Sequence, residues 1–245
     1  MNPRGKVVLI SGGARVGRTV AAWLAERGAD VALTWRGSRA AAEETAATVR
    51  AAGARALAVQ ADLADAGAAA AAVEAVVGGL GRIDILVAMA SVYEKTPFES
   101  LDDEAWRRSH ESDLASLYRL AIAAAPHMRA QGAGRIVATA DWLPVSGRPR
   151  YKGYLPYYVA KAGVVGLVEA LALELAPEIL VNAVAPGPIL APPGFGADAE
   201  REVMKATPLG RWGGPDEIAR AVLFLIETEF VTGECLRVDG GRHLN

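Results

Sequence analysis

The chain has 245 residues, with 26 lysines and arginines against 28 acids and three histidines, a formal net charge of -2. Its hydrophobic fraction of 52% and charged fraction of 22% exclude a disordered chain. The even charge balance argues against a nucleic-acid or acidic-membrane binder, whose basic domains usually have a pI above about 9. One cysteine, Cys235, excludes an internal disulfide and a cysteine-built zinc site, and the scattered histidines lack ligand spacing, so no metal is expected. The length suits one α/β domain of about 250 residues, burying about three quarters of its unfolded surface. No run of about 20 apolar residues is present to span a membrane. The apolar run Val7–Ile10 is too short for a signal peptide, so a cytoplasmic protein is expected.

Short apolar runs alternate with alanine-rich helical stretches. The runs Val7–Ser11, Asp30–Thr34, Ala56–Val59, Ile83–Ala88, Gly134–Thr139, Ile179–Val184 and Leu236–Val238 read as strands covered on both faces. The spacing predicts helices over about 16–28, 38–52, 65–79, 102–131, 157–176 and 215–227. Gly28, Gly53 and Gly81 stand as stop signals, and Pro215-Asp216-Glu217 opens the last helix. This rhythm predicts one domain over 1–245: a three-layer α/β/α fold around a doubly wound parallel sheet of Rossmann type. Segment 186–214 breaks the rhythm with Pro186, Pro188, Pro192, Pro193 and Pro208, and reads as a long irregular loop able to cover a site.

The first strand runs into Ser11-Gly12-Gly13-Ala14-Arg15-Val16-Gly17 and then a helix. Glycines there let backbone N–H groups approach a phosphate at a helix N-terminus; the alternative is an ordinary glycine turn. The second strand leads into Arg36-Gly37-Ser38. An acid usually stands there to bind an NAD ribose, whereas Arg36 and Ser38 suit the 2′-phosphate of NADP(H), with Arg15 as a second cation. Asp62 and Leu63 follow the third strand, and Ala88-Met89-Ala90-Ser91 the fourth. In Tyr157-Tyr158-Val159-Ala160-Lys161, the spacing puts Tyr157 and Lys161 on one helix face. A tyrosine with the usual pKa of about 10 is a poor acid–base group at neutral pH, and a neighbouring ammonium is expected to lower it. A proton donor so tuned is what hydride transfer to C=O or C=N requires. Taken alone, the pair also fits an exposed helical contact.

Taken in order, these motifs resemble those of the short-chain dehydrogenase/reductase family. The resemblance runs from Lys6 to Val238-Asp239-Gly240-Gly241 and includes Asn182-Ala183-Val184-Ala185-Pro186-Gly187. It implies a nicotinamide cofactor, Tyr157 as acid/base, and Lys161 binding the ribose and tuning the tyrosine. It places Asp62 and Leu63 near the adenine, Ala90 and Ser91 beside the ribose, and Pro186, Gly187 and Ile189 at the nicotinamide. It also implies a homotetramer or homodimer built on the 102–131 and 157–176 helices, with His110 and His127 at the surface or interface.

Several positions depart from the family pattern. The glycine loop is one residue short, with Arg15 near the middle glycine. Ala88-Met89 replaces two asparagines, Asp113 stands at the tetrad asparagine, and Asp141 at the catalytic serine. Arg15, Asp141 and the segment from Ala90 through Tyr93 to Pro97 resemble the pteridine-reductase-like branch, in which the aromatic at Tyr93 stacks on the pterin; packing against its own loop is the other reading of Tyr93. The resemblance implies an NADPH-dependent oxidoreductase acting on a pterin or cyclic imine. A keto or 3-oxoacyl reductase is the alternative, and a non-catalytic nucleotide-binding regulator is an alternative of another kind.

Overall fold

The computed structural model describes residues 1–147, 150–192 and 194–245; Pro193, counted above in the 186–214 segment, lies outside the described residues. Seven strands form one parallel sheet: β1 (Val7–Ser11), β2 (Asp30–Trp35), β3 (Ala56–Gln60), β4 (Ile85–Ala88), β5 (Gly134–Thr139), β6 (Ile179–Pro186) and β7 (Cys235–Val238). Their order is β3-β2-β1-β4-β5-β6-β7. The chain winds outward from β1 in one direction and from β4 in the other. The crevice beyond the carboxyl ends of those two strands is the switch point at which such sheets bind ligands. Ser11 pairs with Ala88 at that edge.

Helices cover both faces. On one side α3 (Ala66–Leu80), α5 (Ser116–Ala130) and α7 (Leu155–Leu175) pack Val73, Leu120, Val164 and Val168 against Leu9, Leu86 and Val181. On the other, α1 (Val16–Glu26), α2 (Arg39–Ala51) and α9 (Pro215–Glu227) pack Leu24, Val49 and Val222 against Ile10, Leu33 and Val87. The strands are thus mostly apolar because both sheet faces are covered. Gly28, Gly53 and Gly81 all have positive φ, from +82 to +88°, as residues ending helices in the left-handed region require.

Three sequence expectations change. The single helix expected over 102–131 is α4 (Asp103–Ser109), a π-helical turn (His110–Ala115) and α5. A π turn inserts one residue into the α-helical repeat, a local event that an averaged 3.6-residue period conceals. The 186–214 segment contains α8 (Ala197–Lys205), whose first-turn acids Asp198 and Glu200 and last-turn Lys205 suit the helix dipole. Between β5 and α7 lies the four-residue α6 (Trp142–Val145), capped by the Asp141 carboxylate, which accepts from the Leu143 N–H at 2.8 Å. Lesser shifts occur at the edges: β4 starts at Ile85 rather than Ile83, and α7 at Leu155, with Pro156 in its first turn. No described helix is long and apolar enough to cross a membrane.

Asn182, inside β6 and 1% exposed, has a structural task. Its amide donates to the Val231 carbonyl at 2.8 Å and accepts from the Glu234 N–H at 3.0 Å. It thereby ties the lead-in of β7 to the strand that ends in Pro186-Gly187. Asn182→Ala should lower stability by about 2 kcal/mol, because two backbone groups lose their partners. A urea unfolding midpoint that falls at constant slope is the expected reading; an unchanged midpoint would show that the two bonds add nothing.

Candidate active site

The glycine turn after β1 is dictated by close packing. A Cβ on Gly12, where φ is +79°, would lie 2.8 Å from the Ala90 nitrogen; one on Gly13 would lie 2.8 Å from Leu33; one on Gly17 would collide with the Gly12 carbonyl. The glycines are needed to fold the turn itself. The same turn leaves the start of α1 without a side-chain cap, the Gly17 and Arg18 N–H groups meeting the Ala14 and Arg15 carbonyls at 3.0 and 3.3 Å. Ser11 fixes the opposite wall, its hydroxyl accepting from the N–H groups of Met89 at 3.1 Å and Ala90 at 3.3 Å. A serine at the end of the first strand was the available signal for this contact.

Arg15 has φ of 52°, the one positive value at a described non-glycine residue. Its guanidinium donates to the Ala191 carbonyl at 3.2 Å. Rather than standing with Arg36, it bridges the glycine turn to the 186–214 segment. Arg36 and Ser38 are exposed past the end of β2, and Arg39 opens α2 beside them. Neither Arg36 nor Arg39 forms an ion pair among the described residues, so this basic corner is open to a dianion. Arg39 was missed from sequence, although a second cation three residues after Arg36 was there to be read.

Further along the crevice, Asp62 is exposed and Leu63 buried. Gly187 packs so closely on Asp239 that a Cβ there would come within 2.5 Å of the Asp239 Cβ, and Ile189 beyond it is buried. Pro186 ends β6. These residues, with Gly12, Val16 and Gly17, line the ends of the strands on which the sequence placed them.

The polar centre lies where β5, α7 and the π turn meet. Lys161 is 1% exposed; its ammonium donates to the Thr139 carbonyl at 2.7 Å and contacts Asp113 Oδ1 at 3.0 Å. Asp113 also accepts from the Ser91 hydroxyl and, at 3.3 Å, from the Val92 N–H. The Tyr157 hydroxyl donates to Asp141 Oδ2 at 2.8 Å. Burial raises the Asp141 pKa against the pull of the Leu143 N–H, Tyr157 and Lys161. Burial first, then the Asp141 and Asp113 carboxylates, hold Tyr157 well above the ordinary phenol value. This corrects the expectation that Lys161 lowers it. The ammonium lies 5.8 Å from the phenol ring centre and is paired with Asp113, while the hydroxyl itself faces a carboxylate.

Tyr93 is half exposed at the mouth, stacked on Tyr154 with ring centres 4.7 Å apart and edge-on to Tyr157 at 4.9 Å. Its packing on its own rim and its place beside Tyr157 are both real. Trp142, in contrast, is buried between the Arg150 and Arg242 guanidiniums, a packing role. Ser146 donates its hydroxyl to the Leu143 carbonyl at 2.8 Å, whereas the buried Thr139 hydroxyl has no partner among the described residues. His110 stacks on Trp106, and His127 pairs with Glu74.

A nicotinamide dinucleotide fits this arrangement. The uncapped N-terminus of α1, the unpaired cations past the end of β2, the unpartnered Thr139 hydroxyl and the third, unused donor of the Lys161 ammonium all lie at the carboxyl-end edge of the parallel sheet. The comparisons agree with the fold and the motifs. A family model described as Enoyl-(Acyl carrier protein) reductase matches residues 13–243. The 3-oxoacyl-[acyl-carrier-protein] reductase of Escherichia coli (strain K12) is 33% identical over the full length of both chains. The enzyme of the same name from Staphylococcus aureus (strain Mu50 / ATCC 700699) is 32% identical over 98% of each. Among solved structures, a short-chain dehydrogenase/reductase from Serratia marcescens BCRC 10948 superposes with a TM-score of 0.91 at 34% identity, covering 99% of this chain and 100% of that one. An NADPH-dependent 3-quinuclidinone reductase from Rhodotorula rubra gives 0.90 at 30% identity, covering 100% and 93%. With its sheet order, its Tyr157/Lys161 pair and these full-length matches, the chain belongs to the short-chain dehydrogenase/reductase family of oxidoreductases.

Proposed function

We propose that the protein is an NADPH-dependent reductase of a small planar C=N substrate, a pterin or another cyclic conjugated imine. The observation that carries this reading is the Asp141 carboxylate facing the Tyr157 hydroxyl at 2.8 Å, at the position where the resemblance leads one to expect a serine. A carboxylate cannot donate a hydrogen bond to a ketone oxygen, and its charge opposes an oxyanion developing there. It can accept from the N–H and NH₂ edge of a pterin. Burial raises its pKa, so at lower pH it can also take up a proton and pass it towards a ring nitrogen through Tyr157. Tyr93, half exposed beside Tyr157 and stacked on Tyr154, adds an aromatic ring to the rim that a flat substrate would meet.

When bound, the cofactor supplies hydride to the substrate carbon. Gly12, Val16 and Gly17 hold its pyrophosphate at the start of α1, with Arg15 beside them, and Arg36, Ser38 and Arg39 hold the 2′-phosphate. Asp62 and Leu63 border the adenine. Ala90, Ser91 and the third donor of Lys161 meet the ribose, and Pro186, Gly187 and Ile189 wall the nicotinamide. Tyr157 donates the proton; Asp141 orients that hydroxyl and the substrate; Asp113 secures Lys161. The second reading, a keto reductase of 3-oxoacyl thioesters, is favoured by the names of the relatives. The regulator reading is opposed by the Tyr157/Lys161 pair beside the carboxyl end of β5. Exposed Tyr118 and Ile122 on α5 and Val159 on α7 support assembly as a homotetramer or homodimer. A single domain over 1–245 acting in the cytoplasm completes the reading.

Three outcomes are expected. NADPH should bind more tightly than NADH by fluorescence titration, and Arg36→Asp should narrow or reverse the preference; equal wild-type affinities would remove the 2′-phosphate assignment. Tyr157→Phe should cut turnover roughly 100- to 10,000-fold with cofactor binding retained. Full activity in that variant would transfer the donor role to Asp141. Asp141→Ser keeps a helix-capping side chain for α6, so its kinetics report chemistry. Reduction of dihydropterins and cyclic imines should fall while ketone reduction holds or rises. If no pterin or imine is turned over and ketone reduction falls in the variant, the keto-reductase reading replaces this one.

A further inference from the structure

We propose that Asp113 is a positioning residue that cancels the charge of Lys161 and so keeps Tyr157 a neutral phenol, a proton donor rather than a base. This deepens the reading of Tyr157 as donor and rests on it. The structural ground is the chain of contacts already described. Asp113 has a fully buried side chain in the π turn, contacts the Lys161 ammonium at 3.0 Å and is fixed by the Ser91 hydroxyl and the Val92 N–H. An asparagine fills the same volume and can keep a hydrogen bond, but leaves the ammonium uncompensated.

The charged and titratable groups around Tyr157 come from every element packed on it. Asp141 stands at the end of β5, Asp113 in the π turn and Lys161 one turn along α7. Tyr93 and Tyr154 close the mouth, and Tyr93 is itself held above the ordinary phenol value, first by burial and then by Tyr154. Two carboxylates and one ammonium sum to one negative charge beside a phenol. Loss of the phenol proton would add a second negative charge in a poorly solvated place. With Asp113 neutralised, the sum is zero and the ammonium acts on the phenol without a competitor.

The consequence concerns pH. Hydride addition consumes the phenol proton, which passes to the substrate as charge builds on its acceptor atom. The reverse reaction needs the phenolate to receive that proton. The equilibrium between the two belongs to the substrates, so Asp113 cannot alter their ratio at a given pH. It sets the pH up to which the phenol form prevails. In this protein that range extends past neutrality, so the reductive direction has its donor in place without any group having to titrate.

Tyrosinate absorbance near 295 nm tests this without substrate or cofactor. The difference between the wild type and Tyr157→Phe isolates Tyr157 from the other tyrosines. Wild-type protein should show no Tyr157 tyrosinate up to the ordinary phenol midpoint near pH 10. In Asp113→Asn, measured against Asp113→Asn/Tyr157→Phe, the midpoint should fall by at least one pH unit, a tenfold larger phenolate population at a given pH. An unchanged midpoint would overturn the proposal, since a merely structural ion pair alters unfolding but not this titration. Should Asp113→Asn fail to fold, the wild-type difference alone decides: ionisation at or below pH 10 also overturns it. Turnover of Tyr157→Phe tests the donor reading separately, so failure of either is distinguishable.

Discussion

A lysine ammonium that is 1% exposed must have acceptors around it, and satisfying Lys161 organises this molecule. Desolvating a charge costs several kcal/mol unless geometry supplies partners. Those partners come from two elements distant in sequence: the Thr139 carbonyl at the end of β5 and the Asp113 carboxylate in the π turn. The last carbonyl of a central parallel strand points into the crevice because the ladder ends there. The carboxylate reaches the same point because the helix between α4 and α5 carries an extra residue. The π turn is therefore part of the site. Without it, Asp113 would fall at a different angle about the helix axis, and the ammonium would lose its counter-charge.

That requirement links substitutions that look unrelated along the sequence. Ser91 follows β4, and its hydroxyl donates to Asp113. Ala88 and Met89 stand where asparagines are expected, and the β4 loop is held instead by the Ser11 hydroxyl through the N–H groups of Met89 and Ala90. Removing two amides and adding one carboxylate changes the means by which the wall is held, while the fold as a whole superposes on the Serratia marcescens structure with a TM-score of 0.91. Read singly, Asp113 and Ala88 look like losses. Taken together with Ser11 and Ser91, they form a connected set of donors and acceptors.

The sheet was legible because its signal is redundant. Seven apolar runs, glycine stops and right-handed crossovers all point to one topology, and the errors fall at strand and helix ends. Residues whose role depends on backbone were legible too, Gly12, Gly17 and Gly187 among them, since few side chains could replace them. The illegible features depend on single local choices. One inserted residue makes the π turn. The Asp141 cap makes α6, and α8 is a short polar helix with no buried residue, set in a proline-rich stretch. The direction of the Tyr157 shift was also beyond reach. Sequence spacing shows that Lys161 lies one turn away, but not that Asp113 occupies its ammonium while Asp141 faces the phenol.

That last point bears on what the site can reduce. In a site with a serine at this position, two hydroxyls face the acceptor atom and either can donate to it. Here one donor remains, the Tyr157 phenol, with an acceptor behind it. A ketone oxygen becoming an alkoxide gathers charge that needs donors, and the nearest fixed charge is negative. A ring nitrogen gathers charge as well, but flat C=N heterocycles also carry N–H and NH₂ groups that need an acceptor, which Asp141 provides. The capping bond from the Leu143 N–H holds one carboxylate oxygen still while the other meets Tyr157, leaving lone pairs on both for a substrate edge. The same side chain thus starts a helix and holds the Tyr157 hydroxyl, and under the proposed reading its charge disfavours an oxyanion by the geometry that the fold already requires.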